Sequence, residues 1–196
     1  MKRKQKKHLF LIGMSLVILF LASWNHYISP YFVSGSDQVA EIAPTQTEVF
    51  ISQIGEQARE LGQTYDLYAS VMIAQAVLES QSGQSRLAVA PNYNLFGMKG
   101  TYNGQSVVME TQEDDGAGNL TTIEATFRTY PSYRESLIDY AQVLQQEHFW
   151  GAHKSMTSSY QEATQALTGV YATDSQYAAK LNALIVQYNL TQYDTP

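Results

Sequence analysis

A strongly apolar stretch that ends in a carboxylate, residues 71–79, places the strongest constraint on the fold of this chain. Within it Met72, Ala76 and Glu79 are spaced at i, i+4 and i+7, so they share one face of a predicted helix. That face packs into a core, which leaves Glu79 half in water and raises the pKa of its carboxyl group. A carboxyl group that stays protonated near neutral pH can act as a general acid. The alternative is a helix-end glutamate whose charged head reaches solvent.

Charge is distributed unevenly along the chain. The net charge is −6, yet five of the twelve Lys and Arg residues lie between positions 2 and 7, and no Asp or Glu precedes Asp37. The rest carries 7 basic and 18 acidic residues, a net charge of −11. An acidic body of this kind lacks the basic surface that nucleic acids require, so we expect no nucleic-acid partner.

Cysteine and histidine usage argues against metal chemistry. The chain has no Cys, which excludes disulfides, a thiol nucleophile and Cys-based metal sites. Its four His residues are scattered along the sequence, and no cluster has the spacing of metal ligands. We therefore expect neither a metal nor a cofactor.

The N-terminal residues 1–24 have the plan of an export signal or a membrane anchor. A basic head is followed by an apolar run from Leu9 to Trp24. No clear small-x-small cleavage site follows, which favours an uncleaved single-pass anchor in the cell membrane over a secreted protein with a cleaved signal. In both cases the basic head stays inside and the body lies outside the cytoplasm. Residues 25–46 have no sustained period and indicate a linker.

The body, residues 47–196, alternates helical patterns with one hairpin pattern. We expect a helix from Glu48 to Leu61, capped by Thr47 and ended by Gly62, and a second helix carrying Glu79. A loop rich in Pro, Asn and Gly follows at 90–100. Two strand-like runs, 105–111 and 120–128, flank the turn cluster 114–119 and predict a β-hairpin.

The remaining sequence is helical again. Ser132 and Glu135 form a capping-box pattern at the start of one helix. Another helix is expected near 160–168, and Asp174 or Ser175 is expected to cap the last one. The predicted class is α+β, mainly α: a helical domain with an inserted β-hairpin, preceded by a transmembrane anchor.

A helical lobe that faces a small β lobe forms a cleft, and carboxylates on opposite walls suit glycoside hydrolysis. One acid protonates the leaving oxygen, while the other positions water or stabilises positive charge on the sugar. Glu79 lies on the helical side, and Glu113 is among the acids of the hairpin. The alternative is that the hairpin acids are solvated strand and turn residues.

Several ordered motifs resemble the N-acetylglucosaminidases of glycoside hydrolase family 73. They are Ala74-Gln75-Ala76-Val77-Leu78-Glu79-Ser80, Asn92-Tyr93-Asn94-Leu95-Phe96-Gly97-Met98-Lys99-Gly100, Thr111-Gln112-Glu113, the run 125–130, and Tyr171-Ala172-Thr173-Asp174-Ser175-Gln176-Tyr177-Ala178. The resemblance implies a lysozyme-like fold and cleavage of the β-1,4 bond between N-acetylglucosamine and N-acetylmuramic acid in peptidoglycan. Many relatives have an aromatic residue where this chain has Ser82, which puts one stacking or packing contact in doubt.

The resemblance also implies roles for individual residues. Glu79 matches the general acid, Glu113 the second carboxylate, and Tyr171 a tyrosine that supports catalysis. Two routes remain open after protonation by Glu79. Either the substrate's own N-acetyl group attacks the anomeric carbon, or Glu113 activates a water molecule.

Substrate-binding residues are expected in the loop at 90–100, here called the aromatic loop because it contains Tyr93 and Phe96, and at the end of the hairpin. Packing is the alternative for each aromatic among them, and Tyr177 is expected to pack. Other functions that stay open are a muramidase or lytic transglycosylase of related fold, and an inactive module that binds the wall. The expected substrate-binding residues are Tyr93, Asn94, Phe96, Lys99 and Tyr130.

Overall fold

The computed structural model describes residues 43–114 and 120–195. It is mainly helical with one two-stranded antiparallel sheet, which confirms the predicted α+β class with an inserted hairpin. The elements in chain order are α1 (Gln46–Thr64), α2 (Ala69–Ser80), β1 (Ser106–Asp114), β2 (Leu120–Arg128), α3 (Tyr133–Val143), α4 (Tyr160–Leu167) and α5 (Tyr177–Gln187). Short 3-10 helices occupy Glu147–Ala152, Lys154–Met156 and Leu190–Tyr193.

The first helix begins earlier and ends later than predicted. Its N-cap is Thr45, because Thr45 and Glu48 form a capping box: the Thr45 hydroxyl accepts from the Glu48 amide at 3.3 Å, and the Glu48 carboxylate accepts from the Thr45 amide at 2.6 Å. Gly62 lies inside the helix and does not end it. A Cβ at Gly62 would lie 2.8 Å from the carbonyl oxygen of Leu67, so the glycine permits the close approach of the next turn.

Helix α2 is the centre of the core. Met72 and Ala76 are buried, as their spacing predicted, and almost every other residue of the helix is buried too. The helix ends in a left-handed turn through Gln81, Ser82 and Gly83, all with positive φ. The Ser82 hydroxyl lies 2.8 Å from that of Thr47, so this turn is tied to α1.

The hairpin is joined to the helical body through the loop that follows α2. Strand β1 pairs with β2 from Ser106↔Arg128 to Asp114↔Leu120, so β1 extends further than the predicted strand. The Gly100 amide donates to the carbonyl of Thr126 at 2.9 Å, and the Arg128 amide donates to that of Met98, also at 2.9 Å. These bonds place one face of the hairpin opposite the end of α2.

The C-terminal helices close the domain. Ser132 caps α3 as predicted, accepting from the Arg134 amide at 3.1 Å. Helix α5 has Gln176 as its N-cap, so the predicted cap at Asp174 or Ser175 is wrong. Asp174 instead accepts from the Gln176 amide at 2.8 Å and forms an ion pair with Lys180, which stabilises the chain just before the helix.

The predicted membrane anchor at 1–24 and most of the predicted linker at 25–46 lie outside the described residues. Within 43–114 and 120–195, no helix combines the length and apolar character needed to cross a bilayer.

Candidate active site

A cleft of about 400 Å³ lies between the end of α2 and the hairpin. Glu79 and the turn after α2, including Arg86, form one wall. Met109, Glu110 and Thr111 of β1 form the other. The helical end and the hairpin therefore enclose a groove with carboxylates on both sides, as the sequence predicted.

Glu79 is half-buried at the end of α2, and one tyrosine binds it directly. The Tyr177 hydroxyl donates to Oε1 of Glu79 at 2.8 Å. Burial raises the pKa of Glu79 to about 7, and this effect outweighs the hydrogen bond from Tyr177 and the charge of Lys180, which both lower it. The predicted rise in pKa is thus confirmed, and a large fraction of Glu79 is protonated at neutral pH.

A chain of buried hydrogen bonds continues from Glu79 into the core. The Gln75 amide nitrogen donates to the Tyr177 oxygen at 2.9 Å, and the Tyr140 hydroxyl donates to the Gln75 amide oxygen. Sequence reasoning missed both Gln75 and the contact of Tyr177, which it expected only to pack. One signal was present: Gln75 is a polar residue one turn before Glu79 in an otherwise apolar helix.

Tyr171 lies beneath Tyr177 and has no hydrogen bond to Glu79. It is 2% exposed, and its hydroxyl donates to the carbonyl of Phe96 at 3.2 Å. Its ring stacks on that of Tyr177 with centroids 5.9 Å apart. Burial raises the pKa of Tyr171 well above that of a free tyrosine, so its hydroxyl stays neutral. Tyr171 is therefore linked to Glu79 indirectly: its ring stacks on Tyr177, which donates the hydrogen bond to Glu79.

Glu113 lies near the end of β1, paired with Thr121. Its position continues the alternation of Met109 and Thr111, two residues of the cleft wall. The side chains of 112–121 lie outside the described part of the structure. Glu110 also lines the cleft and is exposed.

Asn94 lines the cleft but is almost fully buried, because its side chain holds the loop to the hairpin. Its Nδ2 donates to the carbonyls of Met98 at 2.9 Å and Arg128 at 2.8 Å. Its Oδ1 accepts from the Met98 amide at 2.9 Å. All of its side-chain polar atoms are thus used to shape the cleft.

The predicted roles of Phe96 and Tyr130 in substrate binding need correction. Phe96 is 0% exposed and stacks on Tyr140, with centroids 4.0 Å apart. Tyr130 is 3% exposed and donates to Asp139 at 2.6 Å. Neither ring presents a face to the cleft, so both are core residues that support the loop and the hairpin.

Tyr93 and Lys99 are partly exposed but lie outside the set of cleft-lining residues. The Tyr93 ring contacts the edge of Tyr133, with centroids 5.6 Å apart. The carbonyl of Lys99 accepts from Arg128 Nε at 3.1 Å. Arg128 also forms a 2.6 Å ion pair with Asp139, which joins the hairpin to α3.

Within the described residues, no three His, Asp or Glu side chains converge as a metal-binding group would. The chemistry that the cleft displays is that of a half-buried, largely protonated carboxyl group facing a strand that carries further carboxylates.

Comparison with protein families identifies one match over most of the chain. The family model described as mannosyl-glycoprotein endo-beta-N-acetylglucosaminidase matches residues 55–190. This range runs from the middle of α1 through α5 and contains every residue of the cleft.

Curated relatives carry related names. The autolysin of Enterococcus faecalis is 51% identical over 84% of the chain, which spans 23% of that protein. The probable N-acetylmuramidase of Lactococcus lactis is 47% identical over 80% of the chain and 37% of that protein. The exo-glucosaminidase LytG of Bacillus subtilis is 37% identical over 98% of the chain and 69% of that protein. The chain thus spans well under half the length of the first two.

The fold is similar to a solved structure of the same class. The crystal structure of the catalytic domain of the autolysin Auto from Listeria monocytogenes superposes with a TM-score of 0.72 at 51% identity. The match covers 77% of this chain and 89% of that domain.

Proposed function

The chain belongs to the glucosaminidase family of glycoside hydrolases, and from this membership we propose that it cleaves the glycan strands of bacterial peptidoglycan. The bond that we assign is the β-1,4 bond between N-acetylglucosamine and N-acetylmuramic acid. Relatives named autolysin and exo-glucosaminidase support this substrate and this bond.

The observation that carries the proposal is the pKa of about 7 at Glu79, inside a cleft of about 400 Å³. A carboxyl group in this state gives up its proton to the glycosidic oxygen as that bond breaks. Glu79→Gln keeps the shape of the side chain and removes the proton. We expect this change to reduce the rate at which glycan fragments are released by about 10²- to 10⁴-fold, which is the usual effect of losing a general acid.

We assign Glu113 as the second carboxylate, with Tyr171 supporting the site through its contact with Tyr177. Two routes lead from the protonated bond to the product. If Glu113 activates water, the anomeric configuration inverts and Glu113→Gln removes activity. If the acetamido group of the substrate attacks first, the configuration is retained and Glu113→Gln leaves measurable turnover. Proton NMR of the first product formed separates the two routes.

A muramidase is the second candidate, because the Lactococcus lactis relative is named a probable N-acetylmuramidase. Borohydride reduction of the products followed by mass spectrometry separates the candidates. Reduced N-acetylglucosamine at the new end supports the glucosaminidase, and reduced N-acetylmuramic acid supports the muramidase. An anhydro end would indicate a lytic transglycosylase, and no product from the wild-type chain would indicate a wall-binding module.

The length of the products tests a further distinction. Steady release of single disaccharides would indicate action from the strand end, as in the name of the Bacillus subtilis relative. A broad mixture of lengths would indicate internal cleavage. We place this action outside the cytoplasm, since peptidoglycan lies there, and we assign residues 1–24 as the segment that keeps the domain at the membrane.

A further inference from the structure

We propose that Gln75 is a positioning residue that sets the direction of the buried hydrogen-bond chain and so decides which oxygen of Glu79 carries the acid proton. The inference rests on the proposed role of Glu79 as general acid. It adds a residue whose side chain reaches Glu79 through the Tyr177 hydroxyl, by the hydrogen bonds Gln75–Tyr177 and Tyr177–Glu79.

The buried hydrogen-bond chain has a defined order of donors and acceptors. The Tyr140 hydroxyl donates to Oε1 of Gln75, and Gln75 Nε2 donates to the Tyr177 oxygen at 2.9 Å. The Tyr177 hydroxyl then donates to Oε1 of Glu79 at 2.8 Å. Gln75, Tyr140 and Tyr177 are all buried, so water does not compete for these groups.

Each tyrosine has a single proton to donate, and this constraint gives the chain its direction. Because an amide N–H already points at the Tyr177 oxygen, the hydroxyl proton of Tyr177 is aimed at Glu79. Oε1 of Glu79 is therefore an acceptor whether the carboxyl group is charged or neutral. When Glu79 is protonated, the proton is on Oε2, the oxygen left for the substrate.

Reversing the Gln75 amide would turn the Glu79 proton away from the substrate. If the Gln75 oxygen faced Tyr177, that hydroxyl would donate to Gln75 and could accept the Glu79 proton, which would then point into the core. The same reversal would turn the Gln75 NH₂ group toward Tyr140. Among the described residues the Tyr140 hydroxyl donates to Gln75, so reversal would take away the acceptor that this buried hydroxyl proton uses. Tyr140 thus holds the amide in the productive direction.

Other charged and titratable groups around Glu79 do not impose this direction. Lys180 of α5 acts on Glu79 through its charge and is paired with Asp174 at 2.6 Å. Tyr171 faces the site from below, with its hydroxyl bonded to Phe96. Glu110 across the cleft and Arg86 on the same wall as Glu79 are exposed lining residues. Glu113 follows on β1, paired with Thr121.

The test compares pH profiles of kcat/KM for peptidoglycan hydrolysis by the full-length chain. Gln75→Met keeps the length of the side chain but removes the amide, so Tyr177 is free to accept the Glu79 proton. We expect the alkaline limb to move up by about half to one pH unit and kcat to fall roughly tenfold. Tyr177→Phe should move the limb in the same direction with a smaller loss of kcat, because no inward acceptor remains.

Tyr188→Phe is the matched control, since Tyr188 lies at the end of α5 and takes no part in the chain. It should leave both the limb and kcat unchanged. If Gln75→Met lowers the melting temperature but moves neither the limb nor kcat, Gln75 is only structural and the proposal is overturned. Tyr140→Phe is a second test, because it removes the hydroxyl that donates to the Gln75 amide oxygen. It should shift the alkaline limb and lower kcat in the same direction as Gln75→Met, but by less.

A measurement without substrate keeps this inference separate from the proposed function. The infrared carbonyl band of protonated Glu79, identified by its loss in Glu79→Gln, should lie at the frequency of a hydrogen-bonded C=O and shift upward in Tyr177→Phe. A band at the frequency of a free C=O in the wild type would overturn the chain direction. Absence of sugar release by the wild type would instead refute the proposed function and leave this result standing.

Discussion

Replacing Glu79 by glutamine should stabilise the folded domain at alkaline pH and have little effect at acid pH. The pKa of Glu79 is raised from 4.5 to about 7 by burial, so folding disfavours its charged form. A group of this kind contributes its full stability below pH 4.5, where it is protonated in both states. That contribution is lost as the pH rises to about 7, and Glu79→Gln removes the loss.

The magnitude follows from the two pKa values. At about 1.4 kcal/mol per pH unit, the difference between the two pKa values allows about 3.5 kcal/mol at most. Partial exposure of the carboxylate reduces this, and we expect about 2 kcal/mol at pH 8. For a domain of this size the gain corresponds to a rise of roughly 4–8 °C in melting temperature. Glutamine keeps the Oε1 acceptor that Tyr177 uses, so no buried donor is orphaned.

Urea unfolding of both proteins at a series of pH values between 4 and 8 measures this difference directly. Other titrating groups are common to both proteins and cancel in the comparison. Glu60→Gln is the control, because Glu60 forms an exposed ion pair with Arg134 at 3.2 Å, and it should cost less than about 1 kcal/mol. A difference between wild type and Glu79→Gln that stays flat with pH would refute the reasoning, since Glu79 would then be no harder to charge in the folded state.

Further predictions concern the cleft wall, the turn after α2 and the cap of α3. Arg86 lines the cleft, is exposed and makes no ion pair with the described residues, so Arg86→Gln should raise KM for peptide-bearing glycan several-fold and leave KM for peptide-free glycan unchanged. Gly83→Ala would put a Cβ 2.7 Å from the Phe50 ring at positive φ, and should lower stability by about 1–3 kcal/mol in urea unfolding. Gly104→Ala, also at positive φ but in open space, should cost only the backbone strain, and equal losses would exclude the clash. Ser132→Ala should lower the melting temperature through a loss of about 1 kcal/mol, and an unchanged value would mean that the cap contributes nothing.

The sequence predicted the parts of the site that depend on local periodicity. The spacing of Met72, Ala76 and Glu79 placed the acid on the packing face of one helix, and the structure confirms both the burial and the raised pKa. The hairpin followed from two strand-like runs around a turn cluster, and the cap at Ser132 followed from its own side chain. Such features require only neighbours within a few residues.

Boundaries that depend on close approach were predicted less well. The sequence predicted that Gly62 ends the first helix, yet Gly62 lies inside α1. A glycine is needed there because the backbone at Leu67 packs against it. The sequence predicted that Phe96 in the aromatic loop and Tyr130 after the hairpin contact substrate, yet both are buried. Local composition says that a loop is irregular, but it does not say which of its rings the rest of the chain covers.

The sequence alone predicted the class of fold, the family, and a half-buried Glu79 with a raised pKa. Only the tertiary structure decided what the acid touches. Tyr177 is separated from Glu79 by 98 residues, and its hydroxyl reaches the carboxylate because of how α5 is rotated against α2. That rotation is set by the packing of whole helices, and the direction of the chain through Gln75 further depends on a hydroxyl from α3. No local pattern encodes a contact that requires separate helices to meet at one point.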